Sequence, residues 1–188
     1  FHKIKFQKII SSFFLTFAKN TLKNMIINKT SILFVCLGNI CRSPAAESVM
    51  NDLLKEKNRT NEFIIDSCGI GAWHIGQRSD NRMISAGENR GYVFNHRGRQ
   101  ICEQDFKRFD YIIGMDEENI SDILCLAKSE EDRNKVFRMA SFLRKYPNQK
   151  TIPDPYFGGD DGFEFVLDLL EDATKGLLDF LDKEENSI

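Results

Sequence analysis

What this chain is short of narrows its function before any motif is considered. Its 188 residues hold only five cysteines, an odd number without framework spacing. A disulfide-stapled secreted scaffold is therefore excluded, and reduced thiols in a cytoplasmic setting are expected. No Cys/His cluster has the spacing of a zinc site, so no metal is expected. No apolar run approaches the about 20 residues needed to cross a bilayer, so stable membrane insertion is not expected. There is no internal repeat and no linker, and 41% hydrophobic content suffices for the core of a single domain. Acid is missing from residues 1–30, which carry six lysines and no arginine. This basic extension is read either as an organelle-targeting segment or, with Met25 just upstream of the first apolar run, as a mis-assigned start. The remaining residues, 31–188, hold 20 basic against 28 acidic groups, a net of −8. On so acidic a body the Lys- and Arg-rich stretch 133–151 is read as solvated surface, and no nucleic-acid partner is expected.

Against that background one stretch stands out. The apolar run Ser31-Ile32-Leu33-Phe34 leads into Val35-Cys36-Leu37-Gly38-Asn39-Ile40-Cys41-Arg42-Ser43-Pro44. The bare Cys-x5-Arg spacing is weak, since five cysteines and eleven arginines supply about 0.3 instances by chance. A second copy, Cys102 to Arg108, has no glycine, and its Glu103 and Asp105 would repel a phosphate, so it is read as a coincidence at a helix start. The first copy has the context the chemistry needs. A buried strand precedes it, Gly38 and Asn39 tolerate tight-loop backbone angles, and Ser43-Pro44 reads as an N-cap with proline at the first helical position. The N–H groups of Leu37, Gly38, Asn39, Ile40 and Cys41 and the helix N-terminus then address one anion. In that field a cysteine is favoured as a thiolate. Cys36 is thus read as a nucleophile toward phosphorus, Arg42 as a bidentate fork for phosphate oxygens, and Ser43 as a donor to the Cys36 sulfur.

At this point the chain resembles the low-molecular-weight protein tyrosine phosphatases, from residue 31 to about residue 181. Three further collinear segments carry the resemblance: Asp66-Ser67-Cys68-Gly69-Ile70-Gly71-Ala72-Trp73-His74-Ile75-Gly76, Phe109-Asp110-Tyr111-Ile112-Ile113-Gly114-Met115-Asp116, and Asp154-Pro155-Tyr156. On residues alone, Asp154 between two prolines is equally a turn initiator and a carboxyl held over a pocket. The resemblance implies that it protonates the leaving oxygen and then serves as base for the hydrolytic water. Trp73, the sole tryptophan, and Tyr156 are expected to wall a slot for a phenyl ring, although Trp73 could equally fill the core. The resemblance also implies that Asn39, Ser43, Ser67 and His96 brace the loop. Cys41, sharing the loop with Cys36, is expected to trap an oxidised nucleophile as a reversible disulfide or, alternatively, to pack as a small apolar residue. No cofactor is implied, the partner is a phosphotyrosine-containing protein, and a monomer is expected.

The predicted fold is an α/β single domain over 31–188, with a central parallel four-stranded sheet, helices on both faces and the phosphate loop after the first strand. Strands are predicted over 31–36, 63–67, 109–114 and 135–139, and helices over 44–56, 81–90, 117–127 and 162–182. The last helix repeats Phe163, Val166, Leu167, Leu170, Ala173, Leu177 and Leu181 at helical spacing. Three other functions share the loop. An arsenate reductase needs two further cysteines close together, whereas Cys68, Cys102 and Cys125 are far apart in sequence. An arginine phosphatase carries threonine where this chain has the apolar Ile40. A phosphotyrosine-binding pseudophosphatase would not need Cys36, Arg42, Ser43 and Asp154 together.

Overall fold

The computed structural model describes residues 29–156 and 158–185. Four strands, β1 (Thr30–Cys36), β2 (Phe63–Gly69), β3 (Tyr111–Gly114) and β4 (Val136–Arg138), form one sheet in the order β2-β1-β3-β4. Every pairing in it is parallel. Six α-helices are described: α1 (Arg42–Glu56), α2 (Asn81–Asn89), α3 (Asp105–Arg108), α4 (Glu117–Leu126), α5 (Glu130–Asn134) and α6 (Asp160–Glu185). A short 3₁₀ turn follows β4 (Met139–Phe142).

The continuous apolar run of β1 is what a parallel strand covered on both faces requires. Ile32, Leu33, Phe34 and Val35 are wholly buried, and the pleat sends them alternately to two cores. Ile32, Phe34 and Cys36 join α1, α2 and α6 on one face. Leu33 and Val35 join Phe106 of α3, Phe109, Ile112 and Ile123 of α4 on the other. All seven periodic residues of α6 from Phe163 to Leu181 are buried. A Cβ on Gly176 would sit 1.9 Å from the Phe142 carbonyl oxygen, so this glycine lets α6 close onto the 3₁₀ turn.

Strand order reverses between β1 and β3, and the carboxyl ends of these two strands define the crevice where open α/β sheets bind ligands. Cys36 ends β1, Asp116 follows β3, and the Ile152 amide donates to the Met115 carbonyl at 2.8 Å, bringing the Asp154 loop to the same edge.

Several boundaries differ from those predicted. β3 starts at Tyr111 instead of 109 because Phe109 ends α3 and Asp110 turns its carboxylate onto Ser31, taking its amide at 2.8 Å and its hydroxyl at 2.6 Å. β4 stops at Arg138, where the chain tightens into the 3₁₀ turn. Helix α5 was not anticipated: none of its residues is buried, and it is specified by a Ser129–Asp132 capping box. The Cys102–Arg108 copy lies on a surface turn and α3, where buried Asp105 takes the Cys102 amide and Arg99, both at 2.9 Å. In the basic stretch, Arg138 pairs with Glu117 and Arg144 with Asp179 at the surface. The expected extension over 1–30 lies outside the described residues apart from Lys29 and Thr30, and Thr30 already pairs with Phe63 in the sheet. Among the described residues no helix is long and apolar enough to cross a membrane.

Candidate active site

The loop from Cys36 to Arg42 closes on itself around the Cys36 sulfur. Asn39 takes the left-handed conformation, φ 55°, which asparagine tolerates better than other side-chain-bearing residues. Its amide then donates to Cys36 Sγ at 3.3 Å, and the Ser43 hydroxyl donates to the same sulfur at 3.1 Å. Both donors suit a sulfur that carries negative charge. Ser43 is not the N-cap that its sequence context predicts. Helix α1 starts one residue earlier, at Arg42, with Cys41 flanking it and no side-chain cap. The Ser43 hydroxyl lies 3.1 Å from both the sulfur and the Cys68 carbonyl oxygen, so its one proton is shared between these two acceptors and is not given to the helix. Pro44 is tolerated because amides in the first helical turn have no intrahelical acceptor.

Arg42 lies almost fully buried beneath the loop, held by three acceptors. Its Nη1 donates to the Asp116 carboxylate and, at 3.2 Å, to the Ile152 carbonyl; its Nη2 meets Asp154 Oδ2 at 2.6 Å. Burial works against the charged guanidinium, but Cys36, Asp154 and Asp116 together raise its pKa above the ordinary arginine value. Nε is buried without a hydrogen-bond partner. The Nε–Nη2 edge, the side of the fork that grips two anionic oxygens, thus carries one unpartnered donor and one held only by Asp154.

The bracing layer brings together all four residues expected of it. Asn39 Nδ2 donates to both Ser43 Oγ and Ser67 Oγ at 3.0 Å, while Asn39 Oδ1 faces His96 Nε2 at 2.7 Å and takes the Arg99 amide at 2.9 Å. A fifth member was missed. Glu47, one turn after Ser43 on α1, accepts the Ser67 hydroxyl at 2.7 Å and lies 3.1 Å from His96 Nδ1. Its spacing of four from Ser43 was the available signal. Glu47, His96 and Asp66 place three potential metal-ligand atoms, two carboxylate oxygens and a ring nitrogen, within 4.8 Å of one another. Each already has protein partners, with Asp66 Oδ2 on the Arg99 guanidinium at 2.9 Å.

Above the loop is a pocket of about 180 Å³ lined by Cys36, Arg42, Ile40, Trp73, Asp154 and Tyr156, among others. Trp73 is 68% exposed, which settles the question of core filler against it. A Cβ on Gly71 would lie 1.9 Å from its ring, so the indole rests against bare backbone. Tyr156 is anchored by its neighbours: its amide donates to Asp154 Oδ1 at 3.0 Å, its carbonyl accepts from Arg82 Nη1 at 3.1 Å, and the Arg82 guanidinium lies 5.3 Å from the ring centroid. Two further residues were missed. Asp116 accepts the Asn119 amide at 2.7 Å as the N-cap of α4 while holding Arg42, and its place just after β3 was the signal. His74 lines the pocket beside Gly38, fixed by a 2.8 Å contact from Nδ1 to Gln77 Oε1.

All five cysteines are unpaired. Cys41 is buried in the loop wall, where burial, with Asp80, Cys36 and Asp154 nearby, pushes its thiol well above the usual range. Burial raises Cys68 in the same way. Cys102 and Cys125 are exposed.

Comparison with known proteins bears directly on this site. A putative low molecular weight protein-tyrosine-phosphatase of Synechocystis is 42% identical over 153 residues, covering 81% of this chain and 97% of its own. A crystal structure of a protein tyrosine phosphatase from Entamoeba histolytica, with Hepes in the active site, superposes with a TM-score of 0.80 at 41% identity, covering 84% of this chain and 99% of that one. A Drosophila arginine phosphatase superposes at 0.73 with 32% identity, covering 80% and 96%. Residues 31–187 match the family model described as low molecular weight phosphotyrosine protein phosphatase, and with the fold, the loop and these relatives in agreement, the chain belongs to that phosphatase family.

Proposed function

We propose that this protein hydrolyses phosphotyrosine in proteins, and small aryl phosphates, through a phosphocysteine on Cys36. The observation that carries the reading is that Cys36 and Arg42 line one pocket, with Arg42 Nε left without a protein partner among the described residues. The incoming phosphate takes two oxygens onto the Nε–Nη2 edge and displaces the Asp154 carboxylate from Nη2, and the freed carboxylate takes up a proton from water. The Cys36 thiolate forms a bond to phosphorus as the bond to the aryl oxygen breaks, and protonated Asp154 delivers its proton to that oxygen. Asp154, now a carboxylate, accepts a proton from water as the water oxygen attacks the phosphocysteine, releasing inorganic phosphate and the thiolate. Trp73 and Tyr156 flank the aryl ring, and the apolar Ile40, which lines the same pocket, favours a phenyl ester over the guanidino group of an arginine phosphatase substrate. Five unpaired thiols support a reducing, cytoplasmic setting.

The test is a leaving-group series. Asp154→Asn should slow esters of poor leaving groups by about 10²–10⁴-fold and those of good leaving groups far less, because only the former need a proton. An equal loss across the series would leave Asp154 a structural role only.

Cys41 has a separate expected behaviour. Its raised pKa keeps it a protonated thiol, so in the resting loop it is a poor nucleophile. Once peroxide has converted Cys36 to a sulfenic acid, attack by the Cys41 sulfur forms the disulfide and releases water. The loop must bring the two Cα atoms within about 7 Å. Dithiothreitol should restore activity to peroxide-treated wild type but not to Cys41→Ser. Equal recovery in both would leave Cys41 as a packing residue.

A further inference from the structure

Beside the catalytic pocket, across a wall made of Ile40, His74 and Tyr156, lies a second, more open cavity of about 560 Å³. Its far side is formed by the segment from Gln77 to Arg82, which enters α2. The mechanism above uses none of these polar side chains. Their charges are unequally committed. Asp80 caps α2 and is gripped by Arg82, with contacts of 2.8 and 3.0 Å to the guanidinium and 2.8 Å to the Arg82 amide. These contacts hold the Asp80 carboxyl below its ordinary pKa. The remaining Arg82 nitrogen, Nη1, donates to the Tyr156 carbonyl. This pair therefore cancels in charge, and each of the three guanidinium nitrogens already has an acceptor.

Arg78 is different. It is exposed, lines the cavity, and makes no hydrogen bond or ion pair with any described residue. The residue after it, Ser79, is only 5% exposed, yet its hydroxyl is buried without a hydrogen-bond partner. A desolvated hydroxyl with no partner is uncommon in folded proteins. That oxygen has almost no accessible surface, so the free guanidinium of Arg78 is the group left to meet an anionic acceptor entering the cavity. The cavity is polar and open, unlike the slot for the phenyl ring, and the shared wall puts it within reach of a residue neighbouring the phosphotyrosine, since an extended chain advances about 3.3–3.6 Å per residue.

We propose that this cavity is a specificity subsite for the carboxylate of an aspartate or glutamate flanking the phosphotyrosine, held by Arg78. The proposal rests on the phosphotyrosine reading above and extends it to the substrate's sequence. A neighbouring acidic residue is drawn to the cavity by Arg78. A neutral isostere of the same shape offers Arg78 only an uncharged carbonyl oxygen, a weaker acceptor than a carboxylate, and a lysine is repelled.

The test uses the full chain and a set of phosphotyrosine peptides carrying Glu, Gln or Lys at each position next to the phosphotyrosine, with p-nitrophenyl phosphate as a substrate that has no flanking residue. For wild type, kcat/KM should favour Glu over Gln at one flanking position by about two- to fivefold, the range of a single partly solvated charge pair, and the ratio should shrink with added salt. In Arg78→Ala the Glu/Gln ratio should fall to one. In Arg78→Glu the order should invert, with the Lys peptide ahead of the Glu peptide. Taking ratios within each variant removes any general loss of activity. A wild-type ratio of one at every flanking position, or a ratio unchanged in both variants, overturns the subsite while hydrolysis of p-nitrophenyl phosphate leaves the phosphatase reading standing. Failure to hydrolyse either substrate class would overturn the phosphotyrosine reading itself.

Discussion

Replacing Cys36 with serine should leave a folded protein with no measurable turnover, a loss on the order of 10⁴-fold or more, as when an essential nucleophile is removed. The hydroxyl is a far weaker acid than a thiol and offers no anion to attack phosphorus. The fold should survive. The side chain differs by one atom, and its two local donors, the Asn39 amide and the Ser43 hydroxyl, bond an oxygen as readily as a sulfur. Cys36 lies beside Ile32 and Phe34 in the larger core, so losing the polarisable sulfur should lower stability by about 1 kcal/mol. Thermal unfolding and hydrolysis of p-nitrophenyl phosphate, measured on the same preparation, check both halves. Undiminished hydrolysis in Cys36→Ser, or complete loss in wild type on adding a chelator, would overturn the assignment of nucleophile.

Arg42→Lys retains the charge and should still lose activity by on the order of 10³-fold, comparable to or beyond the removal of one transition-state donor. In the structure the guanidinium divides its labour. Nη1 is tied to Asp116 and the Ile152 carbonyl, and the opposite edge is left for oxygens. A lysine ammonium is a single point that cannot keep the tie to Asp116 and present a planar pair of donors as well. The loss should fall mainly on kcat, because the fork's match is to the reacting phosphoryl group. A variant retaining most of the wild-type rate would remove Arg42 from that role.

The parts of this site written in consecutive residues could be read directly. The loop from Cys36 to Arg42 declares itself through a buried strand, a glycine, an asparagine and a helix start, all within a dozen positions. The sheet was equally legible, since the unbroken apolar run of β1 is explained only by burial on both faces. What escaped were side chains whose meaning comes from tertiary approach. Asp116 and Glu47 are ordinary acids in sequence; one acts on Arg42 across 74 positions and the other on Ser67 across 20. His74 matters because Gly38 lets its ring approach the loop, where a Cβ would stand 3.2 Å from it. Ser43 shows the opposite failure. Its serine–proline context has a valid local reading as a cap, but its hydroxyl is used by the sulfur, and local propensity yielded to the chemistry of the loop.

The contact between Asp154 and Arg42 sets a carboxylate of the protein against the guanidinium that is to bind phosphate oxygens. Any anion entering the pocket therefore competes with a tethered rival whose effective concentration is high. Stray sulfate or phosphate, which offers no aryl ring to Trp73 and Tyr156, must displace that rival on the strength of its charge alone. An aryl ester brings the additional grip of its ring. When hydrolysis is over and the ring has left, Asp154 gives up the proton it took from water, and the carboxylate so formed returns to the guanidinium and helps to expel the phosphate. The group assigned to proton transfer thus doubles as a gatekeeper against product, a second duty that comes from where the Asp154 loop is moored and requires no further residue.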